Sequence, residues 1–519
     1  MTKRAFLGLR GTRLTTMIIL VAGAEFLLFG YDQGVVGGIL NLPSFTNTFP
    51  SLCTTAACLD GMTAAEKDTR STTQGIVVAC YNLGCLAGAL STFKLGNRFG
   101  RRKPLFLGCL IVSIGAILQA SASTLVQFII GRVICGLGTG LNTATVPVWQ
   151  AECTKPHQRG PIMAIETSLV PAGVMVSYWV DFGLSYAEPS QAAWRFPIAL
   201  QLLFAFFVMG FILWLPESPR WLVLKGQREE AAEVLGALYD VSDRDEAILQ
   251  NLNAIDTAIE AEASTDWLAV FREGPARART RTLMAISIQI MSQFSGINVI
   301  TFYATSIFQN EIGLTPFVSQ ILSGCLGTAG FIAAMGSIPL IKYVGRRQVM
   351  LLNLCGMGAS MIALAVTEKI KGYTTGIVAA VFVFTFMISF GLGFAQIPWI
   401  YPAEITPLAT RVQANALSTA TNWTSVFIVV MITPIALNSI GWRTYLIFAC
   451  CSAFFMVIAY CCFPETRNRS LEEIELIFSE SSGLFGAVQQ ARLTQHHFDN
   501  EGEPAKNVGL AYSEHIESA

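Results

Sequence analysis

Apolar residues in this chain run in blocks long enough to cross a bilayer. Such blocks fall near residues 15–38, 73–95, 104–121, 124–147, 160–183 and 195–215. A polar segment, 216–280, follows, and then six more blocks lie near 281–308, 317–341, 348–366, 374–402, 413–437 and 442–463. A helix of about 20 apolar residues spans the hydrocarbon core. The pattern therefore predicts an all-α membrane protein of twelve transmembrane helices. Its parts are an N-terminal segment (1–14), a six-helix half (15–215), a helical insert (216–280), a second six-helix half (281–463) and a tail (464–519). Within the insert, REEAAEVLGALYDVSDRDEAILQNLNAIDTAIEAE repeats its apolar residues at three- and four-residue spacing, as short amphipathic helices do. It is either a linker or a plug beneath a pore. The tail is polar, with QHH and EGEP, and is expected to be disordered.

Composition agrees with that class. Of 519 residues, 53% are apolar and 13% charged, against roughly 25% charged in soluble domains. A net charge of −1 gives no basic excess, so no nucleic-acid partner is expected. The placement of Lys and Arg fixes an orientation. With both termini cytoplasmic, 27 of the 34 fall on inside segments and six on outside loops, while Arg132 lies within a span. Such an asymmetry predicts cytoplasmic termini and a cytoplasmic insert. The first apolar run is too long for a cleavable signal. Most of the 13 cysteines sit inside apolar runs, where a thiol behaves as a small hydrophobe. Cys53 and Cys58 lie in a polar outside loop and are either a disulfide or free thiols.

The two halves repeat each other. GNRFGRRK (96–103) follows the second span and KYVGRRQ (342–348) the eighth. PVWQAECTKPHQRG (147–160) follows the fourth and YPAEITPLATR (401–411) the tenth, each with a Glu seven residues before an Arg. PESPR (216–220) ends the sixth span and PETR (464–467) the twelfth. Duplicated halves mark alternating-access transporters, with the site between them near the midplane.

These landmarks, with QFSGIN (293–298), PETRNRSLEEIE (464–475), GRVICGLGTG (131–140) and FGYDQGVVGG (29–38), closely resemble the sugar porter family of the major facilitator superfamily. The last looks most like its fungal members. The resemblance runs from about 15 to 478 and implies a twelve-helix carrier for a monosaccharide or similar polyhydroxy solute. It implies that an acid at Asp32 marks proton-coupled members, with Arg132 as partner. By resemblance, Phe29, Gln289, Gln293, Asn298, Trp399 and Asn422 match sugar-contacting positions, and Phe302 and Tyr303 match the outer gate. A usual amide is replaced by Thr167, beside Glu166; another by Ser292; and a glycine by Ala395. The usual Asp of each GRR loop is Asn97 or Lys342.

The residues themselves point the same way. An ion at the centre of a membrane helix costs about 2.5–3.5 kcal/mol on insertion scales, so Asp32 and Arg132 are expected to pair or to work. Gln289 and Gln293, four apart, share a helix face that can offer amides to sugar hydroxyls. Glu25 is one more intramembrane acid, lining the outer vestibule or pointing at a neighbouring helix. Glu152, Arg159, Glu217 and Arg220, and their counterparts Glu404, Arg411, Glu465 and Arg467, are expected to form salt bridges that latch the two halves. Arg101 and Arg346 read as ordinary inside charges. GLGTG (136–140) resembles a phosphate loop, but inside a membrane helix its small residues serve close packing.

The expected activity is proton-coupled import of a monosaccharide, hexose or pentose, at the plasma membrane, by a monomer. The alternatives are a proton-independent facilitator, or a carrier of a polyol, disaccharide or sugar acid. A nutrient sensor would need a longer tail than the 56 residues after 463. A membrane enzyme would need clustered histidines, yet His496, His497 and His515 lie in the tail and His157 in a loop. No metal or organic cofactor is implied; the partners are the sugar, the proton and the bilayer.

Overall fold

The computed structural model describes residues 6, 8–242, 244–263, 267–274, 276–370, 372–407, 410–469, 471–481 and 483–493. His496, His497 and His515 lie outside them, as do the side chains of Asn97 and His157. Among the described residues, twelve helices are long and apolar enough to cross a membrane. In the first half they are α1 (Gly11–Ile39), α2 (Ala64–Thr92), α3 (Arg102–Ala120), α4 (Leu125–Glu152), α5 (Gln158–Ser185) and α6 (Ala192–Ile212). In the second they are α7 (Ala278–Glu311), α8 (Pro316–Val344), α9 (Arg346–Ile370), α10 (Thr374–Ile405), α11 (Arg411–Ile440) and α12 (Arg443–Cys462). The chain therefore has two faces. One carries the start of α1 and the insert; the other carries the loop with a Cys53–Cys58 disulfide, its Cα atoms 6.0 Å apart. They are called here the insert face and the disulfide face.

Helix α2 begins about two turns before the apolar block does. Thr63 caps it, accepting from the backbone N–H of Glu66 while the Glu66 carboxylate accepts from that of Thr63. Such a capping box satisfies otherwise orphaned donors and extends a helix into polar sequence.

Backbone proximity holds the first half together. A Cβ on Gly136 would collide with the carbonyl oxygen of Tyr81, and one on Gly140 with that of Cys85. Gly84 and Gly88 on α2 meet the α4 carbonyls of Val133 and Leu137 in the same way. The GLGTG run is thus a packing surface, with Gly136 and Gly140 against α2 and Gly138 against α3. Gly140→Val should remove most of the protein from the membrane, because the backbones of α2 and α4 are in contact there and a side chain fits only if the helices part. Surface labelling of a tagged carrier measures this; normal abundance would show that α2 and α4 can part.

The insert forms helices Pro219–Leu224, Arg228–Tyr239 and Glu246–Ala263. These three helices pack on the first half: Leu235, Leu238, Ile248 and Leu252 join the core that holds Leu14 and Ile18. Arg10 pairs with Asp240 at 3.5 Å, and Lys155 lies 5.3 Å over the Tyr239 ring.

The tail corrects an expectation. Leu471–Glu480 and Gly483–Leu493 are helices, and Ile474, Ile477 and Phe478 are buried. The apolar positions of LEEIELIF recur at helical spacing, and that outweighs the polar average. Arg281, at the base of α7, stacks on Phe478 at 4.7 Å and pairs with Glu475 at 2.9 Å.

Candidate functional site

At the disulfide face the halves close on each other. Gly37 on α1 lies against the carbonyl of Phe302, leaving no room for a Cβ. The Tyr178 hydroxyl donates across the halves to the carbonyl of Thr301, while the Tyr303 hydroxyl donates within the second half to that of Val430 at 3.1 Å. Asn41 donates to Ser306 at 3.1 Å, and Asn438 to Asp68 at 2.8 Å. Phe302 and Tyr303 are buried in this closure. Nearer the middle, Gln396 donates to Ser168 at 2.7 Å and to the carbonyl of Ala334 at 3.1 Å, joining α10 to α5 and α8. Among the described residues, no hydrogen bond joins the two halves closer to the insert face than this one and its neighbours on Ala164.

A chain of amides lies between α7 and α11. Asn298 donates to the Gln293 oxygen at 2.8 Å, and Gln293 donates to the Asn422 oxygen at 2.6 Å. The backbone makes this possible: α7 widens into a π turn at Gln293–Ile297, where Gly296 takes φ 100°. That break swings Asn298 back towards Gln293 although five residues separate them. Gln289 is directed elsewhere, donating to the carbonyl of Pro398 at 2.9 Å with its oxygen unpartnered. Phe29 of α1 meets Trp423 of α11 edge-on, with ring centroids 5.5 Å apart. The buried Trp423 indole nitrogen has no hydrogen-bond partner.

Trp423 was not among the expected site residues, although it follows Asn422 directly in sequence. Trp399 is 39% exposed and stands outside this buried cluster. The Thr167 hydroxyl is turned to its own helix, donating to Met163 at 2.9 Å and Ala164 at 3.1 Å.

Asp32 is completely buried. One carboxylate oxygen accepts from Tyr81 at 3.3 Å, Thr139 at 3.2 Å and the Cys135 thiol at 3.8 Å; the other has no partner. The expected ion pair with Arg132 does not form. The Arg132 guanidinium lies 4.6 Å over the Tyr81 ring and donates to the carbonyl of Val78 at 3.2 Å. Tyr81 is therefore the intermediary, with its ring under the cation and its hydroxyl on the acid.

Three further carboxylates are buried in the first half. Glu25 accepts from Cys109 at 2.6 Å and Asn142 at 2.9 Å. Glu166 and Asp181 on α5 have no hydrogen-bond partner on either oxygen. Asp181, which sequence reading passed over, packs directly on Gly38 of α1. In the second half the acids Glu311, Glu368 and Glu404 all stand near helix ends.

The loop charges need correction. Glu152 pairs with Arg101 at 3.1 Å, not with Arg159; Glu404 pairs with Arg346 at 2.7 Å, not with Arg411. Arg159 and Arg411 donate instead to the carbonyls of Thr154 and Thr406, each five residues back. Both ion pairs lie within one half, so they brace each half rather than latch the two. Glu217 accepts from the backbone N–H groups of Arg101 at 2.9 Å and Arg102 at 3.2 Å. Glu465 does the same for Arg346 at 2.8 Å and Arg347 at 3.0 Å. Glu217, just after α6, thus caps the positive end of α3, and Glu465, just after α12, that of α9. Burial pushes the Glu217 carboxyl above its usual range, while the backbone bonds from Ser218, Arg101 and Arg102 pull it back. Gly100 and Gly345, at φ 90° and 102°, let the turns pass this close to the capping acids.

Comparison with known proteins agrees with this architecture. The family model described as "Sugar (and other) transporter" matches residues 16–478. A "Major facilitator superfamily transporter mfsA" of Aspergillus fumigatus is 36% identical, over 98% of this chain and 94% of its own length. "Sugar transporter STL1" of Saccharomyces cerevisiae is 38% identical, over 91% of this chain and 83% of its own. A solved structure of the proton:xylose symporter XylE, bound to 6-bromo-6-deoxy-D-glucose, superposes with a TM-score of 0.73 at 23% identity, covering 90% of this chain and 99% of that one. Two six-helix halves, matched loops and a polar centre between them are the build of a transporter rather than an enzyme, and the chain belongs to the sugar porter family of the major facilitator superfamily.

Proposed function

We propose that this protein is a proton-coupled symporter that imports a monosaccharide, hexose or pentose, across the plasma membrane by alternating access. The observation that carries the reading is Asp32. It is a buried carboxylate with one oxygen unpartnered, three residues from Phe29 and hence on the helix that also lines the amide cluster. Proton and substrate then act on the same helix, which gives the two sites a direct means of coupling. Arg132 acts on Asp32 through Tyr81 and Coulomb attraction rather than by contact. Gln293, Asn298 and Asn422 offer amides to sugar hydroxyls, with Gln289 fixing α7 to α10. Phe29 and Trp423 supply the apolar face, Thr167 and Trp399 are further substrate contacts, and Phe302 and Tyr303 are the gate.

The excess of Lys and Arg on the insert face supports a cytoplasmic position for that face. The conformation, closed at the disulfide face, is then the inward-facing one. Glu152, Glu217, Glu404 and Glu465, with Arg101 and Arg346, keep each half rigid while the halves rock; Arg159, Arg220, Arg411 and Arg467 flank them. The relatives favour a sugar: two yeast proteins named as high-affinity hexose transporters are each 29% identical over 90% of this chain. Uptake in a yeast lacking its own sugar carriers, across labelled sugars, polyols and sugar acids and at acid and neutral pH, tests the reading. Accumulation of a hexose or pentose that a protonophore abolishes is expected. Uptake that only equilibrates the pools, or that takes polyols alone, would overturn it.

A further inference from the structure

A polar seam runs along the contact between α1 and α4, and the proposed coupling uses only one end of it. On α4 the seam consists of Arg132, Cys135, Thr139 and Asn142, at intervals of three, four and three, so one face of the helix carries all four. On α1, Asp32 and Glu25 are seven residues apart and share a face by the same geometry. Asp32 meets Cys135 and Thr139; Glu25 meets Asn142 and, across on α3, Cys109. Glu25 lies about 10 Å nearer the insert face, at about 1.5 Å per residue.

The groups facing Glu25 can be named helix by helix. Cys109 on α3 and Asn142 on α4 both donate to the same Glu25 oxygen. On α5, Leu169 packs against Gly23, with Glu166 one turn before it. On α1 itself the nearest charge is Asp32. Among the described residues, no cation forms an ion pair with Glu25. The two donors support an ionised carboxylate, and the lack of a counter-ion supports a neutral one. A side chain needed only for packing would not require that balance, nor a polar seam linking it to a second acid.

We propose that Glu25 is a second proton-binding group of the carrier, holding the proton between Asp32 and the insert face. The step moves a proton and no electrons. The O–H bond on the Asp32 carboxyl breaks, water carries the proton along the seam, and an O–H bond forms on the Glu25 carboxylate. Asp32 is left ionised and Glu25 neutral. Release of the proton from Glu25 to the insert face then resets the pair. This rests on the proton-coupled reading above.

The test is an infrared pH titration of the purified full-length carrier in liposomes, following the carboxyl C=O stretch in wild type, Asp32→Asn and Glu25→Gln. The expected result is that the wild-type titration contains one band lost in Asp32→Asn and a different band lost in Glu25→Gln, whatever Glu166 and Asp181 add. In transport, Glu25→Gln should lower net uptake driven by a pH gradient relative to exchange between equal pools by roughly tenfold, the size of an ordinary coupling between linked sites. Glutamine keeps the acceptor oxygen for Cys109 and Asn142, so a purely structural Glu25 would tolerate it. Should that variant fail to reach the membrane, Cys109→Ser replaces a thiol donor by a hydroxyl and should shift the Glu25 band. Wild-type uptake indifferent to a pH gradient would overturn the coupling reading and this proposal together. A coupled wild type with no titrating band that Glu25→Gln removes or Cys109→Ser shifts would overturn this proposal alone.

Discussion

Asp32→Asn is expected to abolish accumulation of substrate against a gradient while leaving residual exchange between equal pools. The effect is electrostatic. In this conformation the Asp32 carboxyl takes three donors on one oxygen and none on the other, with the Arg132 cation held off by the Tyr81 ring. A carboxyl so placed can be charged or neutral, and each form asks for a different position of α1 relative to α2 and α4. Because Phe29 lies three residues away on α1, that position also bears on the substrate site. Linkage then makes protonation and substrate binding change each other's affinity by the same factor. An inward-moving proton also lets the membrane potential contribute, at about 2.3 kcal/mol per charge per 100 mV. An amide keeps the shape and the acceptor oxygen but cannot take up the proton. The measurement is uptake of labelled substrate with and without a protonophore, normalised to carrier at the surface. A variant that still concentrates substrate, and loses the gradient to a protonophore, would remove Asp32 from the coupling and leave Glu25 or Glu166 as the site.

The number and order of spans were legible in the sequence because a bilayer imposes a length and a polarity on each helix that few other environments do. The loop landmarks were legible as a repeat for a similar reason: two halves of one design keep their turn residues. What could not be read was the partner of each charge. Glu152, Arg159, Glu217 and Arg220 and their four counterparts could be read only as charges at matched helix ends, and Arg101 and Arg346 as ordinary inside charges. Arg101 and Arg346 reach the acids first because the glycine turns at Gly100 and Gly345 bring the start of α3 and α9 beside the ends of α4 and α10. The same limit hid Tyr81 between Asp32 and Arg132, since 49 residues separate the two hydrogen-bonded side chains. Asp181 is a different case. A lone acid in an apolar block is a visible signal, and its burial against Gly38 shows that it should have been weighed with Glu25 and Glu166.

Trp423→Ala is expected to raise the apparent substrate constant far more than Trp399→Ala does, with carrier at the surface reduced less than transport. Sequence reading placed Trp399 in the site; the geometry favours Trp423. Its ring is buried beside Asn422, stands edge-on to Phe29 across the interface of the halves, and holds an indole N–H with no partner in the protein. A buried donor left unpaired is unfavourable, by about 1–3 kcal/mol, unless a ligand or water accepts from it in some state of the cycle. A sugar hydroxyl can accept that bond while the ring covers the sugar's C–H face. Stacking of this kind is worth on the order of 1–3 kcal/mol by analogy with bases on aromatic side chains, which corresponds to roughly a five- to 150-fold rise in the constant. Trp399 is more than a third exposed, so its loss removes less contact with anything bound at the amide chain. Trp423→Phe separates the two contributions, since it keeps an aromatic face and deletes the donor. Initial-rate uptake over a range of substrate concentrations, normalised to surface protein, gives all three constants. If Trp399→Ala raises the constant more than Trp423→Ala, the substrate sits lower between α7 and α10 than the amide chain implies, and Gln289 rather than Gln293 becomes its principal partner.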